Sequence, residues 1–152
     1  MRRKDREVKE IDDLLAIINQ CKICRLGFID EEGVYIVPMN FGYTYDDHLT
    51  LYFHSAKIGR KITCIKNHPE ISFEMDTSHL LVTGEEACDY TYSYESIIGK
   101  GKAYILEDYK EEALNHLMYH QTGKTFEFNP HRIDEVCVFK LEVESMSGKR
   151  HE

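Results

Sequence analysis

The sequence predicts a mainly antiparallel β domain, α+β in composition, with a few helices at the edges of a small barrel. Three observations carry that reading. Short runs alternate apolar and polar residues as half-buried strands do, for example Leu49, Leu51 and Phe53, or Ile71, Phe73 and Met75. Polar turn words separate these runs, among them Asp30-Glu31-Glu32-Gly33 and Asp46-Asp47. Helical spacing is confined to three segments. Six or so antiparallel strands with three helices fit a small closed barrel, although periodicity alone does not separate a barrel from a sandwich.

The elements follow in order. Residues 5–20 carry Val8, Ile11, Leu14, Leu15 and Ile18 at helical spacing and predict an amphipathic opening helix. Residues 22–29 read as a strand, turned into a second strand over 34–45, and His48 to His54 as a third. Ser55 reads as the N-cap of a short helix with Ile58, Ile62 and Ile65 on one side, stopped near Asn67-His68-Pro69. Glu70 to Met75 is a fourth strand, which His79 to Val82 could extend, and Thr83 to Asp89 is a polar loop. Tyr90 to Leu106 is a long strand in which Gly99 and Gly101 mark a bend or a close backbone approach. Asp108 is the expected N-cap of a helix running to Gln121, with Ala113, Leu114, Leu117 and Met118 inward and Gly123 as its stop. Val136 to Val143 is the last strand. No repeat, low-complexity tract or Pro/Gly-rich linker divides residues 1–152, so one domain is expected.

Composition narrows the function classes. A chain of 152 residues can bury about 68–70% of its unfolded surface. A formal net charge of −8 argues against a duplex nucleic-acid binder, which needs a broad positive face. No apolar run approaches a membrane span, and the basic Arg2, Arg3, Lys4 and Arg6 precede no apolar signal core, so a cytoplasmic location is expected. Cys21, Cys24, Cys64, Cys88 and Cys137 are odd in number and scattered, unlike a disulfide framework. Cys21 and Cys24 form a single CxxC with no second pair of ligands, at a helix-to-strand handover rather than the strand-to-helix turn of a redox motif. Buried thiols are expected, and no metal.

The chemistry concentrates in residues 52–66. From Ser55 to Asn67 there are four cations (Lys57, Arg60, Lys61 and Lys66) and no carboxylate, against the sign of the whole chain. A helix start offers unpaired N–H groups and the positive end of the dipole to an anion. Arg60 could fork onto a phosphate, with Lys57 or Lys61 as a point charge; the alternative is a solvated basic face. Pro38 cannot donate to a ladder and marks a free strand edge, leaving the amides around Met39 and Asn40, and the Asn40 side chain, open to a ligand or to water. His54 and Phe53 must face opposite sides of their strand, which makes His54 a candidate donor to a bound group or a residue satisfied by neighbouring backbone. Tyr90, Tyr92 and Tyr94 share a face with Ser96 and Ile98, suited to an interface or to barrel-wall packing. No GxGxxG or GxSxG word is present, which removes the nicotinamide fingerprint and the serine-hydrolase elbow.

Taken in order, Arg25-Leu26-Gly27-Phe28, Val37-Pro38-Met39-Asn40-Phe41-Gly42-Tyr43, the 52–66 block, Ser93 to Gly101, His120-Gln121-Thr122-Gly123 and Ser147-Gly148-Lys149 resemble the pyridoxamine 5′-phosphate oxidase-like flavoproteins. They are most similar to the nitroimidazole-resistance branch, over roughly Arg2 to Lys149. The resemblance implies a six-stranded antiparallel split β-barrel that binds FMN at a homodimer interface. It implies a flavin site of Pro38, Met39, Asn40, Phe41, Phe53, His54, Ser55, Lys57, Arg60 and Lys61, completed by Tyr94 and Ser96 of a second copy. It further implies His54 at the reactive centre and a small electron-poor acceptor such as a nitroaromatic. The arginine-bearing C-terminal substrate word of the oxidases proper is not recognisable, and Ser147-Gly148-Lys149-Arg150 stands near the end instead. Pyridoxamine phosphate oxidation, a flavin-binding module without turnover, and a haem-binding barrel served by His54 or His120 are the alternatives.

Overall fold

In the computed structural model, which describes residues 2–152, a 3-10 turn at Lys4–Arg6 leads into twelve elements. They are β1 (Glu7–Val8), α1 (Ile11–Gln20), β2 (Ile23–Asp30), β3 (Gly33–Asn40), β4 (Gly42–Tyr45), β5 (Leu49–Ala56), α2 (Arg60–Asn67), β6 (Glu70–Val82), β7 (Thr91–Ile105), α3 (Lys110–Thr122), α4 (Pro130–Asp134) and β8 (Val136–His151).

One sheet holds all eight strands, in the order β3-β2-β6-β7-β8-β5-β4, with β1 added to β8. Laid flat, six strand spacings of roughly 4.8 Å would put β3 about 29 Å from β4. A single residue, Phe41, joins them, and one Cα–Cα step is only about 3.8 Å. The sheet therefore curls until its edges meet at Phe41. No ladder joins those edges, so the result is a split barrel, with eight strands where six were expected.

Alternation fills the inside. Leu26 and Phe28 of β2, Leu49, Leu51 and Phe53 of β5, Ile71, Phe73 and Met75 of β6, and Phe139 and Leu141 of β8 are all buried. Phe53 stacks on Phe139 with ring centroids 5.1 Å apart. α1 contributes Leu14, Ile17 and Ile18, and α2 contributes Ile62 and Ile65. Ala113 and Leu114 of α3 cover Val138 on the outer side.

Several expected boundaries move, each for a tertiary reason. Residues 5–10 do not join the opening helix, because Glu7 and Val8 pair with Lys149 and Gly148 of β8. Ser55 is not a helix cap. It lies inside β5 opposite Cys137, its hydroxyl donates to the Ala56 carbonyl at 2.9 Å, and α2 starts after Gly59. The strand expected over 34–45 is two strands on opposite edges. Tyr90 precedes β7, Tyr109 rather than Asp108 occupies the N-cap of α3 in a left-handed conformation, and α4 was not expected. β8 runs eight residues past Val143 because β7 supplies partners out to His151, with β1 pairing on the other side at Gly148 and Lys149. Gly123 does end α3, at φ 74°.

Candidate functional site

The split is a wedge with a defined apex. β4 pairs with β5 only over Leu49 to Tyr52, whereas β5 continues along β8 to Ala56. Extending the β4–β5 register past Gly42 would set Phe41 opposite Phe53, Asn40 opposite His54 and Met39 opposite Ser55. β3 instead departs at Phe41 and pairs with β2 along its whole length. Two strand edges thus diverge with no ladder partner between them, and their backbone N–H and C=O groups face the gap. Phe41 is fully buried, and its carbonyl accepts from Gln121 Nε2 at 2.9 Å. Gly42 lets α3 back the apex, since a Cβ there would overlap the backbone of His116 and Leu117.

The mouth of the wedge lies at the start of α2. Gly59 sits at φ 148°, where L-residues are rare, and its carbonyl accepts from Ile62 and Thr63. The first-turn amides of Arg60 and Lys61 have no intrahelical acceptor. The Arg60 fork, however, is already engaged: Nε and Nη2 donate to the two Asp30 oxygens at 2.7 and 2.9 Å. Its Nη1 lies 3.5 Å from Glu32, and the guanidinium sits 4.4 Å over the Tyr35 ring. The clasp fastens α2 to the β2–β3 turn. That guanidinium bond, together with the Glu32 N–H and against a smaller desolvation effect, holds the Asp30 carboxyl down at about 2. Lys57 and Lys61 take part in none of the ion pairs among the described residues. Lys66 is equally unpaired but lies in the last turn of α2, so Lys57 and Lys61 are the cations open to an anion at the mouth of the wedge. Asp30 is the residue that sequence reasoning missed, since it showed only as a turn former.

The structure brings most of the expected residues to this wedge. Pro38 and Asn40 are exposed on the outer face of the edge strand, and Asn40 Nδ2 donates to the Lys22 carbonyl at 3.4 Å. Met39 and Ser55 are half-buried. Phe41 and Phe53 are wholly buried and offer the wedge only backbone. His54 is exposed on the outer side of β5, opposite in parity to Phe53 as expected.

Tyr94 and Ser96 lie elsewhere, on β7, with Ser96 between Asp76 and Lys149. β7 is three strands from β3 across the outer face, about 14 Å at the usual spacing. Burial works to raise the Tyr94 phenol, but hydrogen bonds from Lys149 and Arg6 outweigh it and bring the phenol below its ordinary range. The same outer face exposes Ile29 (54%), Val34 (72%), Ile36 (64%) and Ile98 (59%).

The thiols behave as packing groups. Cys21, Cys24, Cys64 and Cys137 are buried and unpaired, and Cys88 is exposed. Burial pushes the Cys21 thiol up to about 12 and Cys24 higher still, so neither is a thiolate near neutral pH.

A family profile described as pyridoxamine 5′-phosphate oxidase matches residues 10–150. A crystal structure from Bacteroides thetaiotaomicron, described as a candidate 5-nitroimidazole antibiotic resistance protein, is 34% identical with a TM-score of 0.83, covering 95% of this chain and 86% of that one. A flavocytochrome from Azotobacter vinelandii is 17% identical (TM-score 0.82; 100% and 72% covered). An FAD and haem binding protein from Mycobacterium smegmatis is 12% identical (TM-score 0.83; 97% and 74% covered). At those lower identities the likeness is one of fold. No curated protein matches the chain. Among the described residues no helix is long and apolar enough to cross a membrane.

Proposed function

The chain belongs to the pyridoxamine 5′-phosphate oxidase family, in its nitroimidazole-resistance branch, and from that premise we propose that it is an FMN-binding homodimer that reduces small electron-poor compounds of the nitroaromatic type. The observation that carries this reading is the wedge itself. It combines unpaired strand edges with two uncommitted lysines at one end.

The residues fit the group in kind. Lys57 and Lys61, with the first-turn amides of α2, suit a phosphate dianion. The free edge of β3 at Met39 and Asn40 suits the pyrimidine rim of a flavin, and Pro38 keeps that edge from recruiting another strand. Arg60 serves as the pin that sets the helix start rather than as a phosphate ligand. When bound, FMN supplies the electrons that pass to the acceptor. His54 holds a ring N–H on the outer side of the wedge, where it can orient an acceptor oxygen and deliver a proton to it.

A second copy has two reasons to dock on the outer face. The exposed Ile29, Val34, Ile36 and Ile98 would leave water, and the wedge, open on that side, would gain a wall. Tyr94 and Ser96 of a second copy would supply that wall, their cationic neighbour Lys149 with them. C2 pairing is the commonest oligomer form.

The test is the absorption spectrum of the freshly purified protein, followed by titration of the stripped protein with FMN and with riboflavin. Oxidised-flavin bands and a strong preference for FMN support the reading. A Soret band would move the protein to the haem-binding side of the fold, and equal affinity for both flavins would remove the phosphate assignment. Light scattering near the 17.9 kDa chain mass would remove the dimer.

A further inference from the structure

A second concavity lies where α1, α3 and β4 meet, on the far side of Phe41 from the wedge. It encloses about 630 Å³, within the range of small-molecule pockets, and Tyr43, Tyr45, Tyr119, Lys22, His116 and His120 line it. No carboxylate does.

His120 is its most informative wall. The residue is 8% exposed, with its ring 4.6 Å from Phe41 and 5.2 Å from Tyr43. Nε2 lies 2.7 Å from the Cys21 carbonyl, and a carbonyl only accepts, so the proton is on Nε2. Burial, outweighing that bond and with Lys22 adding to it, lowers the imidazole's pKa and keeps the ring neutral. Nδ1 is therefore a lone-pair acceptor, and no group among the described residues donates to it. Among the described residues no fully sealed side-chain nitrogen or oxygen lacks a partner, so Nδ1 is reachable from outside, and the space that His120 lines is this cleft.

The surroundings select the partner's charge. Lys22 Nζ is spent on the carbonyls of Asn19 and His120, at 3.2 and 2.8 Å. α1 and α3 both end here, so their negative dipole ends oppose an anion. No carboxylate lines the cleft to offset those helix ends, and the fixed Lys22 ammonium opposes a cation. Tyrosine faces favour a planar ring.

We infer that this cleft is a second ligand site, separate from the wedge, which takes a small uncharged aromatic molecule whose hydroxyl donates to His120 Nδ1. The occupant is of the phenol class. It would sit against the residues that back Phe41, the apex of the wedge.

The experiment uses the protein saturated with FMN and two matched probes, 4-cresol and 4-methylanisole, which differ in the hydroxyl donor. Binding is followed by backbone amide shifts and by the His120 ring nitrogens, which report the acceptor directly in the unaltered protein. The expected result is saturable binding of 4-cresol with shifts at Tyr43, Tyr119, His120 and Gln121. A change at Nδ1 should accompany it, with at least tenfold weaker binding of 4-methylanisole. His120→Phe should abolish the preference between the probes. No saturation, equal affinities, an unmoved Nδ1 signal, or shifts centred on Pro38 to Asn40 and His54 would each overturn the site. Because the wedge is filled throughout, failure here leaves the flavin reading untouched.

Discussion

The two halves of the barrel spend their backbone hydrogen bonds differently. On one side β6, β7 and β8 are joined by ladders of eleven and twelve residue pairs, so nearly every inner group has a strand partner. On the other, β4 and β5 share only four pairs, and β3 has a neighbour on one side alone. The long ladders fix the curvature, and the short one leaves an opening whose edges, charges and exposed histidine are uncommitted. Where partners are complete the chain is scaffold, and where they are missing it has room for chemistry. Substitutions in the two halves should therefore fail in different ways.

The largest expected effect is on ligand affinity in the open half. Replacing Lys57 and Lys61 together by Ala should weaken FMN by roughly 10²–10⁴-fold, each charge-assisted contact being worth about 1.5–3 kcal/mol. Riboflavin affinity should hardly change, and thermal stability should move by no more than about 0.5 kcal/mol equivalent because neither lysine has a structural partner. Parallel losses for both flavins would show that the mouth of the wedge does not read a phosphate.

The complementary experiment strikes the closed half. At Gly101, where the β7–β8 register shifts, a Cβ would overlap the Glu142 carbonyl, and neither backbone can retreat without breaking the ladder. Gly101→Ala should cost about 3–4 kcal/mol in denaturant unfolding. Gly59→Ala meets no atom within 4 Å and is opposed only by its φ of 148°, so its cost should be smaller, about 1–3 kcal/mol. If the Gly59 variant proves the less stable, the division between the halves is wrong.

His54→Ala should leave FMN bound and slow the anaerobic reoxidation of the reduced protein by a 5-nitroimidazole by about 10²-fold, the lower end of general-acid effects. Unchanged reoxidation would make His54 a bystander, and reoxidation that needs oxygen would make the protein a flavin carrier.

The sequence was legible where a local pattern and the tertiary context agree. The inward triplets of β5 and β6, the proline on an edge strand and the glycine stop of α3 all followed from period and turn chemistry. It misled where a distant partner overrides local preference. Ser55-Ala56 looks like a helix start but is held by Cys137 and Val136 of β8. Glu144 to Gly148 has few strand formers, yet pairing with β7 keeps it extended, with β1 joining at Gly148. The break of 34–45 into two edges falls between Asn40 and Gly42, but what decides it is tertiary: Phe41 is held by burial and Gly42 by the close approach of α3. The cationic block was visible at once. That Arg60 is taken by a carboxylate thirty residues earlier was not, since nothing in the local sequence points from α2 back to the β2–β3 turn.

That pair supplies the smallest and most selective test. In the folded chain the Asp30 carboxyl lies at about 2, below its ordinary 3.8, chiefly through the Arg60 guanidinium bond. A depressed carboxyl favours the folded state wherever it is ionised in both states, so its contribution is full above about 3.8 and disappears as pH falls through about 2. The stability difference between the wild type and Asp30→Asn should accordingly be constant at neutral pH, shrink below about 3.8 and vanish near 2. Both partners are partly solvated, with side-chain exposures of 36% and 26%, so the difference should be modest and should decrease with salt. The same variant discriminates between two roles for Arg60. As a pin that sets the helix start, its release should weaken FMN or leave it unchanged. Tighter FMN binding to Asp30→Asn would instead mean that Asp30 competes with the phosphate for the arginine, and would move Arg60 from the scaffold half of the comparison to the open one.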